Sequence, residues 1–221
     1  TEIYTLSLHD ALRSGRRERH APISGNECLT GRPVVIGFGP CGIFAALELS
    51  HNGYRPIVIE RGKTMSARVK DVENFRQHGV LDGDSNILFG EGGAGTFSDG
   101  KLTSGIKDPN IKFVLETFAG AGAGDEIVYK HKPHIGTDVL RAVIVSLREQ
   151  ILDLGGDVRF GTRLTGLEIA DGELKGITVM DSDGREEHID TNAVILATGH
   201  SARDTYELAD QIGRASCRER V

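Results

Sequence analysis

Three glycines near the start of the chain, Gly37, Gly39 and Gly42, have the spacing G-x-G-x-x-G. The first permits a tight turn, the second lacks the Cβ that would hold a phosphate away from the backbone, and the third lets a helix pack closely on a strand. Glu60 follows Gly42 by about eighteen residues, where a carboxylate accepts hydrogen bonds from ribose hydroxyls. These residue types at this spacing predict a site for the pyrophosphate and ribose of a dinucleotide.

The elements needed to position these residues flank them in the sequence. The apolar run 34–36 predicts a buried parallel strand, and residues 43–49 have the apolar spacing of a helix that ends at Asn52. A second apolar run at 57–59 predicts the next strand, directly before Glu60. The glycine pattern alone is a weak signal. With strand, helix, strand and acid all present it predicts a β-α-β unit whose helix amino terminus faces the phosphates.

A second glycine-rich segment, residues 90–102, contains five glycines in thirteen residues. Regular elements do not tolerate that many, so we expect a loop whose backbone N–H groups are free to meet a ligand. A flexible surface loop is the alternative, but Phe89, Phe97 and Leu102 predict an anchored one, because flexible linkers rarely carry such side chains.

The rest of the chain alternates helical patterns with strands and then changes to strands alone. Two Asp-Gly pairs, at 171–172 and 183–184, predict two hairpin turns. The predicted helices are 66–78, a short one from residue 111, and a strongly amphipathic one over 137–154; the predicted strands are 126–130, 158–160, the three hairpin strands between 163 and 190, and 192–198.

Composition excludes several classes of protein. No apolar run in the 221 residues approaches the roughly 20 needed to span a bilayer. The net charge of −6 argues against a nucleic-acid or anionic-membrane surface. Three cysteines without a C-x-x-C exclude a disulfide scaffold and a zinc ribbon and favour a reducing cytoplasm. His131 and His134 have H-x-x-H spacing, but Pro133 interrupts any helical metal face, so no metal site is predicted.

The order of elements resembles the glutathione-reductase-like flavoproteins, which have two dinucleotide-binding domains. The segments VVIGFGPCGIFAALEL, VIERG, GEGGAGTFSDGKL, GGDVRFGTRLTGLE and AVILATGHSARDTYE resemble an uncharacterised family of bacterial FAD-dependent dehydrogenases, over about residues 33–208. The first two are common to many flavoproteins, whereas GEGGAGTFSDGKL and ATGHSARDTYE are more specific. The implied fold class is α/β, an incomplete Rossmann-like parallel sheet with a small antiparallel β-meander.

The resemblance also implies roles for single residues. Glu60 would take the AMP ribose, Arg61 and the backbone of Leu164 would lie at the adenine, and Lys101 would polarise the N1/O2 edge of the flavin. Cys41 is expected to fill space rather than react, and no catalytic residue is assigned. The implied FAD-binding residues are Gly37, Gly39, Pro40, Cys41, Gly42, Glu60, Arg61, Gly92, Gly93, Gly95, Thr96, Leu164, Ala197, Thr198 and Gly199.

The function that follows is FAD-dependent oxidoreductase chemistry, with hydride transfer through the flavin and an unassigned small-molecule substrate and electron partner. An NAD(P)-binding dehydrogenase domain is one alternative, since Glu60 suits a ribose 2′-hydroxyl equally well. A non-catalytic flavin-binding or RNA-associated module is another, and its only support is the arginine cluster at 13–19.

The two ends of the chain resemble a translated sequencing adapter. Residues 4–12 and 212–221 can be encoded by DNA stretches that are largely reverse complements of each other. We therefore set both ends apart from the fold. The expected organisation is an adapter-like end and linker (1–32), a partial FAD/NAD(P)-binding domain with an inserted segment at about 66–135 (33–208), and an adapter-like tail (209–221), as in a fragment of a longer protein.

Overall fold

The computed structural model describes residues 4–5, 28–98, 100–102, 108, 110–130 and 133–211. Its strands are Tyr4–Thr5 (β1), Val34–Ile36 (β2), Ile57–Ile59 (β3), Asp157–Arg159 (β4), Thr162–Ala170 (β5), Glu173–Asp181 (β6), Glu186–Asp190 (β7) and Val194–Leu196 (β8). Its α-helices are Pro40–His51 (α1), Met65–His78 (α2), Asn110–Phe118 (α3), Glu126–Tyr129 (α4), Thr137–Asp153 (α5) and Arg203–Gln211 (α6). A 3-10 turn covers Ala94–Phe97 and a π-helical turn covers Ala119–Ala123.

The main sheet is parallel, with the strand order β1-β8-β2-β3-β4. Its central strands β2 and β3 are buried along their whole length, as expected of short, continuous apolar runs covered on both faces. Because all strands run the same way, the carboxyl ends of β2, β3 and β8 meet at one edge of the sheet. The turn after β2 and the residue after β3 therefore lie side by side.

Helices α1 and α5 cover one face of this sheet. The apolar stripe of α5, including Val143, Leu147 and Ile151, packs with Ile43 and Leu47 of α1 and with the inward side chains of β2 and β3. This confirms the amphipathic helix predicted over 137–154, since the spacing of three and four residues places the apolar side chains on one face.

Strands β5, β6 and β7 form a separate antiparallel sheet that covers the other face. Adjacent residues of β2 point to opposite faces, so Val35 joins the helix side while Val34 and Ile36 pack with Leu164 and Ile177 of the antiparallel sheet. The turn between β5 and β6 has positive φ at both central positions, 54° at 171 and 76° at 172, as an Asp-Gly hairpin requires. The predicted α/β fold with a small meander is thus confirmed.

One local prediction is wrong. Residues 126–130 were expected to form a strand, but Glu126–Tyr129 form helix α4, which packs Ile127 into the core beside α3, so tertiary packing overrides the β-propensity of Ile-Val-Tyr. Tyr4–Thr5 pairs in parallel with β8 at the edge of the main sheet. Within the described ranges, no helix is both long and apolar enough to cross a membrane.

Candidate dinucleotide-binding site

The first glycine turn, residues 37–42, joins β2 to α1 and is tightly packed. Gly37 has a φ of 102°, and a Cβ there would overlap the carbonyl oxygen of Ala197. A Cβ on Gly42 would overlap the carbonyl oxygen of Gly37 itself. Gly39 differs, because a Cβ there would meet only the Cα of Gly93, at 3.7 Å. Two of the glycines are thus needed for packing, whereas a Cβ on the third would be in ordinary contact with the second glycine segment.

Helix α1 begins directly at this turn, with Pro40 as its first residue. Proline suits this position because its fixed φ is helical and its missing N–H would have no acceptor within the helix. The amino terminus of this twelve-residue helix directs N–H groups and the positive end of its dipole towards the sheet edge, which favours an anion. Cys41 is half-buried and packs against the helix-side core.

Glu60, the residue after β3, is 5% exposed and is held by three backbone N–H groups. Its Oε2 accepts from Phe38 at 2.8 Å, and its Oε1 accepts from Gly62 at 2.8 Å and Gly90 at 3.0 Å. A carboxylate offers about four acceptor positions, so about one remains for a further donor. Glu60 therefore joins the first glycine turn to the second glycine-rich segment and keeps capacity for a hydroxyl.

A small cleft, with a volume of about 30 Å³, lies over Glu60 at this edge of the sheet. Five residues assigned from the sequence line it together, although they are far apart in the chain: Gly37, Glu60, Arg61, Leu164 and Thr198. Leu164 lies in β5, the first strand of the antiparallel sheet. The antiparallel sheet thus contributes a wall of the cleft.

Arg61 is fixed at the rim of this cleft. One nitrogen of its guanidinium donates to both carboxylate oxygens of Asp204, each at 2.8 Å, and the group lies 4.7 Å from the ring centre of Phe89. Partial burial acts to raise the pKa of Asp204, but the hydrogen bond and charge of Arg61 hold it below the ordinary value. Helix α6 is thereby tied to the end of β3.

The second glycine segment packs on the first glycine turn. Gly92 donates its N–H to the carbonyl oxygen of Phe38 at 2.9 Å. A Cβ on Gly93 would lie 2.9 Å from the Cα of Gly39, and the φ values at 92 and 93 are 83° and 64°. The segment is therefore an anchored loop beside the turn, as predicted, and contact of its backbone with a ligand stays a prediction.

The other residues of this segment have different surroundings. A Cβ on Gly95 would meet nothing within 4 Å. Thr96 is 1% exposed, and its hydroxyl donates to the carbonyl oxygen of Glu91 at 3.5 Å, so this side chain lies inside the loop. Lys101 forms an antiparallel bridge with His134. The predicted role of Lys101 at a flavin ring is not tested by these contacts.

The segment after β8 completes the edge. Ala197 is buried and donates its N–H to Ile36 at 2.8 Å, which places its own carbonyl against the first glycine turn. Gly199 has a φ of 70°, and its carbonyl oxygen accepts from the hydroxyl of Tyr206 at 2.8 Å. His200 is exposed and lies 3.4 Å from the hydroxyl of Ser201. Among the described residues, no group of three or more His, Cys, Asp or Glu side chains is placed to hold a metal ion.

Two buried charged residues behind the site were missed from the sequence, Arg68 and Glu91. Both are fully buried. Glu91 accepts from the N–H of Met65 and pairs with Arg148 at 3.0 Å; burial raises its pKa, which Met65 and Arg148 partly oppose. In the sequence each is an ordinary charge, one in a polar helix and one among glycines, so no local pattern distinguishes them from exposed charges.

A glycine turn under a helix amino terminus, with an acid at the end of the next strand, defines an α/β domain of the dinucleotide-binding class. Comparison of the sequence with known families identifies one family of that class. Residues 31–215 match the model of the pyridine nucleotide-disulphide oxidoreductase family, so the chain belongs to this family of oxidoreductases.

Several known proteins are similar to this chain. An uncharacterised protein of Clostridium beijerinckii is 50% identical over 192 residues, which is 87% of this chain and 35% of that protein. The fumarate reductase (cytochrome) of Shewanella frigidimarina is 25% identical over 219 residues, 90% of this chain and 38% of the reductase. The structure of a Bacillus halodurans glycerol-3-phosphate dehydrogenase with FAD has a TM-score of 0.48 at 12% identity, covering 76% of this chain and 34% of the enzyme. The chain spans little more than a third of the curated relatives it matches.

Proposed function

We propose that this chain is the part of an FAD-dependent oxidoreductase that binds the ADP half of FAD. The observation that carries the proposal is the Glu60 carboxylate, buried at the end of β3 and hydrogen-bonded to the backbone of both glycine segments. Membership of an oxidoreductase family supports the proposal, as does the resemblance to FAD-dependent dehydrogenases.

The residues present fit the adenosine and pyrophosphate of a dinucleotide. Gly39 is the residue directly before the amino terminus of α1, where a pyrophosphate would receive backbone N–H groups. The free acceptor position on Glu60 suits a ribose hydroxyl, since a hydroxyl donates to a buried carboxylate. Arg61, Leu164 and Thr198 then line the space in which the adenine would lie.

The chain's own residues orient the nucleotide and keep water from it. Glu60 holds the ribose through a charge-assisted hydrogen bond, and the α1 amino terminus neutralises part of the pyrophosphate charge. When bound, FAD supplies the hydride chemistry, for which the protein provides placement and electrostatics. We propose a small-molecule electron donor or acceptor and leave the substrate unassigned.

The test is the visible spectrum of the purified protein and its titration with FAD. We expect protein with bound flavin, released as FAD on denaturation. The Glu60→Gln variant should bind FAD at least about tenfold more weakly, because an amide accepts more weakly than a carboxylate and sets its own donors against the neighbouring N–H groups. Glu73→Gln, on the exposed side of α2, is the matched control and should bind FAD like the wild type.

One observation also favours a second candidate, an NAD(P)-binding dehydrogenase domain. The Glu60 carboxylate would accept equally well from the ribose of NAD. Colourless protein that binds NADH and not FAD would support this candidate and contradict the first. Protein that holds FAD but reacts with no electron donor or acceptor would instead indicate a non-catalytic flavin-binding module.

A further inference from the structure

Helix α2 buries a complete arginine side chain beneath the second glycine segment. Arg68 has no exposed surface. Its guanidinium donates to four backbone carbonyl oxygens: Asn86 at 2.8 Å, Ile87 at 2.9 Å, Gly90 at 3.3 Å and Glu91 at 2.6 Å. One side chain thus donates to four of the six carbonyl oxygens of the loop formed by residues 86–91, two of which, those of Gly90 and Glu91, also accept from the N–H of Gly93 and the hydroxyl of Thr96.

The same loop makes the contacts that define the candidate site. Gly90, whose carbonyl accepts from Arg68, donates its N–H to Glu60 at 3.0 Å. Two residues further, the N–H of Gly92 reaches the carbonyl of Phe38. The loop is therefore held from behind by Arg68 and contacts the acid and the first glycine turn in front.

The fit between Arg68 and the loop is close. A Cβ on Gly90 would overlap the Cδ of Arg68, so the glycine makes room for the arginine stem. The guanidinium also lies 4.7 Å from the ring centre of Phe97, which closes the loop from the other side. Burial lowers the pKa of Arg68 to about 10, which still leaves the group protonated at neutral pH.

We infer that Arg68 is a positioning residue of the dinucleotide site, which fixes the backbone of residues 86–91 so that Gly90 meets Glu60 and Gly92 meets the first glycine turn. The inference rests on the proposed function and deepens it, because it adds a residue that acts only through the loop. The shape of the side chain matters here. A guanidinium has five donors in a rigid plane and serves four carbonyls, whereas a lysine ammonium has three donors and cannot.

The test compares Arg68→Lys and Arg68→Met with the wild type, by backbone hydrogen exchange without FAD and by FAD titration. We expect faster exchange at residues 87–93 in both variants, with the amides of β2 and β3 still protected. The dissociation constant for FAD should rise about tenfold or more in Arg68→Met and less in Arg68→Lys.

Arg159→Met is the matched control for lost stability. The side chain of Arg159 on β4 pairs with Asp157 at 2.8 Å and Glu187 at 2.9 Å, neither of which belongs to the loop, and the substitution keeps the backbone carbonyl that accepts from the N–H of Glu60. It should lower the melting temperature without changing loop exchange or FAD affinity. Equal FAD loss in Arg159→Met and Arg68→Met at equal stability would reduce Arg68 to a general structural role and overturn the inference.

The two proposals fail in different ways. Wild-type protein that binds no FAD would contradict the proposed function, while the exchange comparison would still decide whether Arg68 fixes the loop. Loop amides that exchange in Arg68→Lys and Arg68→Met as in the wild type would overturn the positioning role, whatever the wild type binds.

Discussion

Two glycine-rich segments of this protein have similar composition and opposite surroundings. In the first glycine turn, a Cβ on Gly37 or Gly42 would overlap a backbone carbonyl oxygen. In the π-helical turn and the residue after it, 119–124, a Cβ on Gly120 or Gly122 would meet nothing within 4 Å. There the alanines between the glycines pack against the core, and Gly120 and Gly122 face open space, although the φ of 109° at Gly122 still favours glycine.

The difference teaches that glycine content by itself does not mark a site. A glycine is required where backbone occupies the space of its Cβ, as in the first glycine turn, or where its φ is positive. Elsewhere it is merely tolerated and costs helix stability. The second glycine segment contains both types: a Cβ on Gly93 would press on the backbone of Gly39, whereas a Cβ on Gly95 would face open space.

The largest effect expected from this comparison is that of Gly42→Ala. The added methyl group would overlap the carbonyl oxygen of Gly37, and a backbone oxygen in a tight turn cannot rotate away. The free energy of unfolding should fall by about 3 kcal/mol or more, measured by urea denaturation. A loss below about 0.5 kcal/mol would show that the turn yields and would remove the distinction between the two segments.

A smaller effect is expected at Gly93, which has a φ of 64° and a ψ of −166°. That region is almost exclusive to glycine, so Gly93→Ala should lose about 1–3 kcal/mol in the same measurement. Its Cβ would also press on the Cα of Gly39, so FAD affinity should fall as well. Gly95→Ala, in the same segment with open space around its Cβ, is the control for stability and should leave the free energy of unfolding unchanged. Equal losses in both variants would contradict the packing explanation.

The second glycine segment also contains the buried carboxyl group of Glu91, so the free energy of unfolding should depend on pH. Burial raises the pKa of Glu91 above its ordinary value of 4.5, so above pH 4.5 the native state binds more protons than the unfolded state. The stability of the wild type relative to Glu91→Gln should therefore fall as pH rises from 4.5 through the raised pKa, by at most about 1.4 kcal/mol per pH unit. Urea denaturation at a series of pH values measures this slope. A relative stability that rises over the same range would mean that Arg148 and Met65 outweigh burial.

The smallest effect, and one of opposite sign, is expected in the open segment. Gly120 lies in a helical turn with free space around its Cβ. Gly120→Ala should leave stability unchanged or raise it by up to about 1 kcal/mol, since alanine has the higher helix propensity. Thermal unfolding beside Gly42→Ala gives the comparison directly. Destabilisation of Gly120→Ala would show that this segment, too, is closely packed.

Much of the fold was predictable because its signals are local. The run 34–36, the glycine spacing and Glu60 predicted the β-α-β unit, and the Asp-Gly pairs predicted the antiparallel sheet. Each of these follows from the period of apolar residues or the φ angles of a turn, which a few neighbouring residues decide.

The surroundings of the candidate site were less predictable. The sequence identified Glu60 but not its hydrogen bonds to Gly62 and Gly90, and it gave no indication that Arg68 is buried. The strand predicted at 126–130 was wrong for the same reason, because the conformation of this segment depends on which elements pack beside it. Such contacts join residues that are distant in the chain, so they produce no periodic pattern in the sequence.

The amino-acid sequence by itself determined the parallel unit, the place of its turn and the acid at the end of β3, because short-range sterics and apolar periodicity suffice for these. Only the tertiary structure decided that the second glycine segment lies on the first and that a buried arginine and glutamate stand behind it. A charge becomes buried only where distant backbone groups satisfy it, and folding alone brings those groups together.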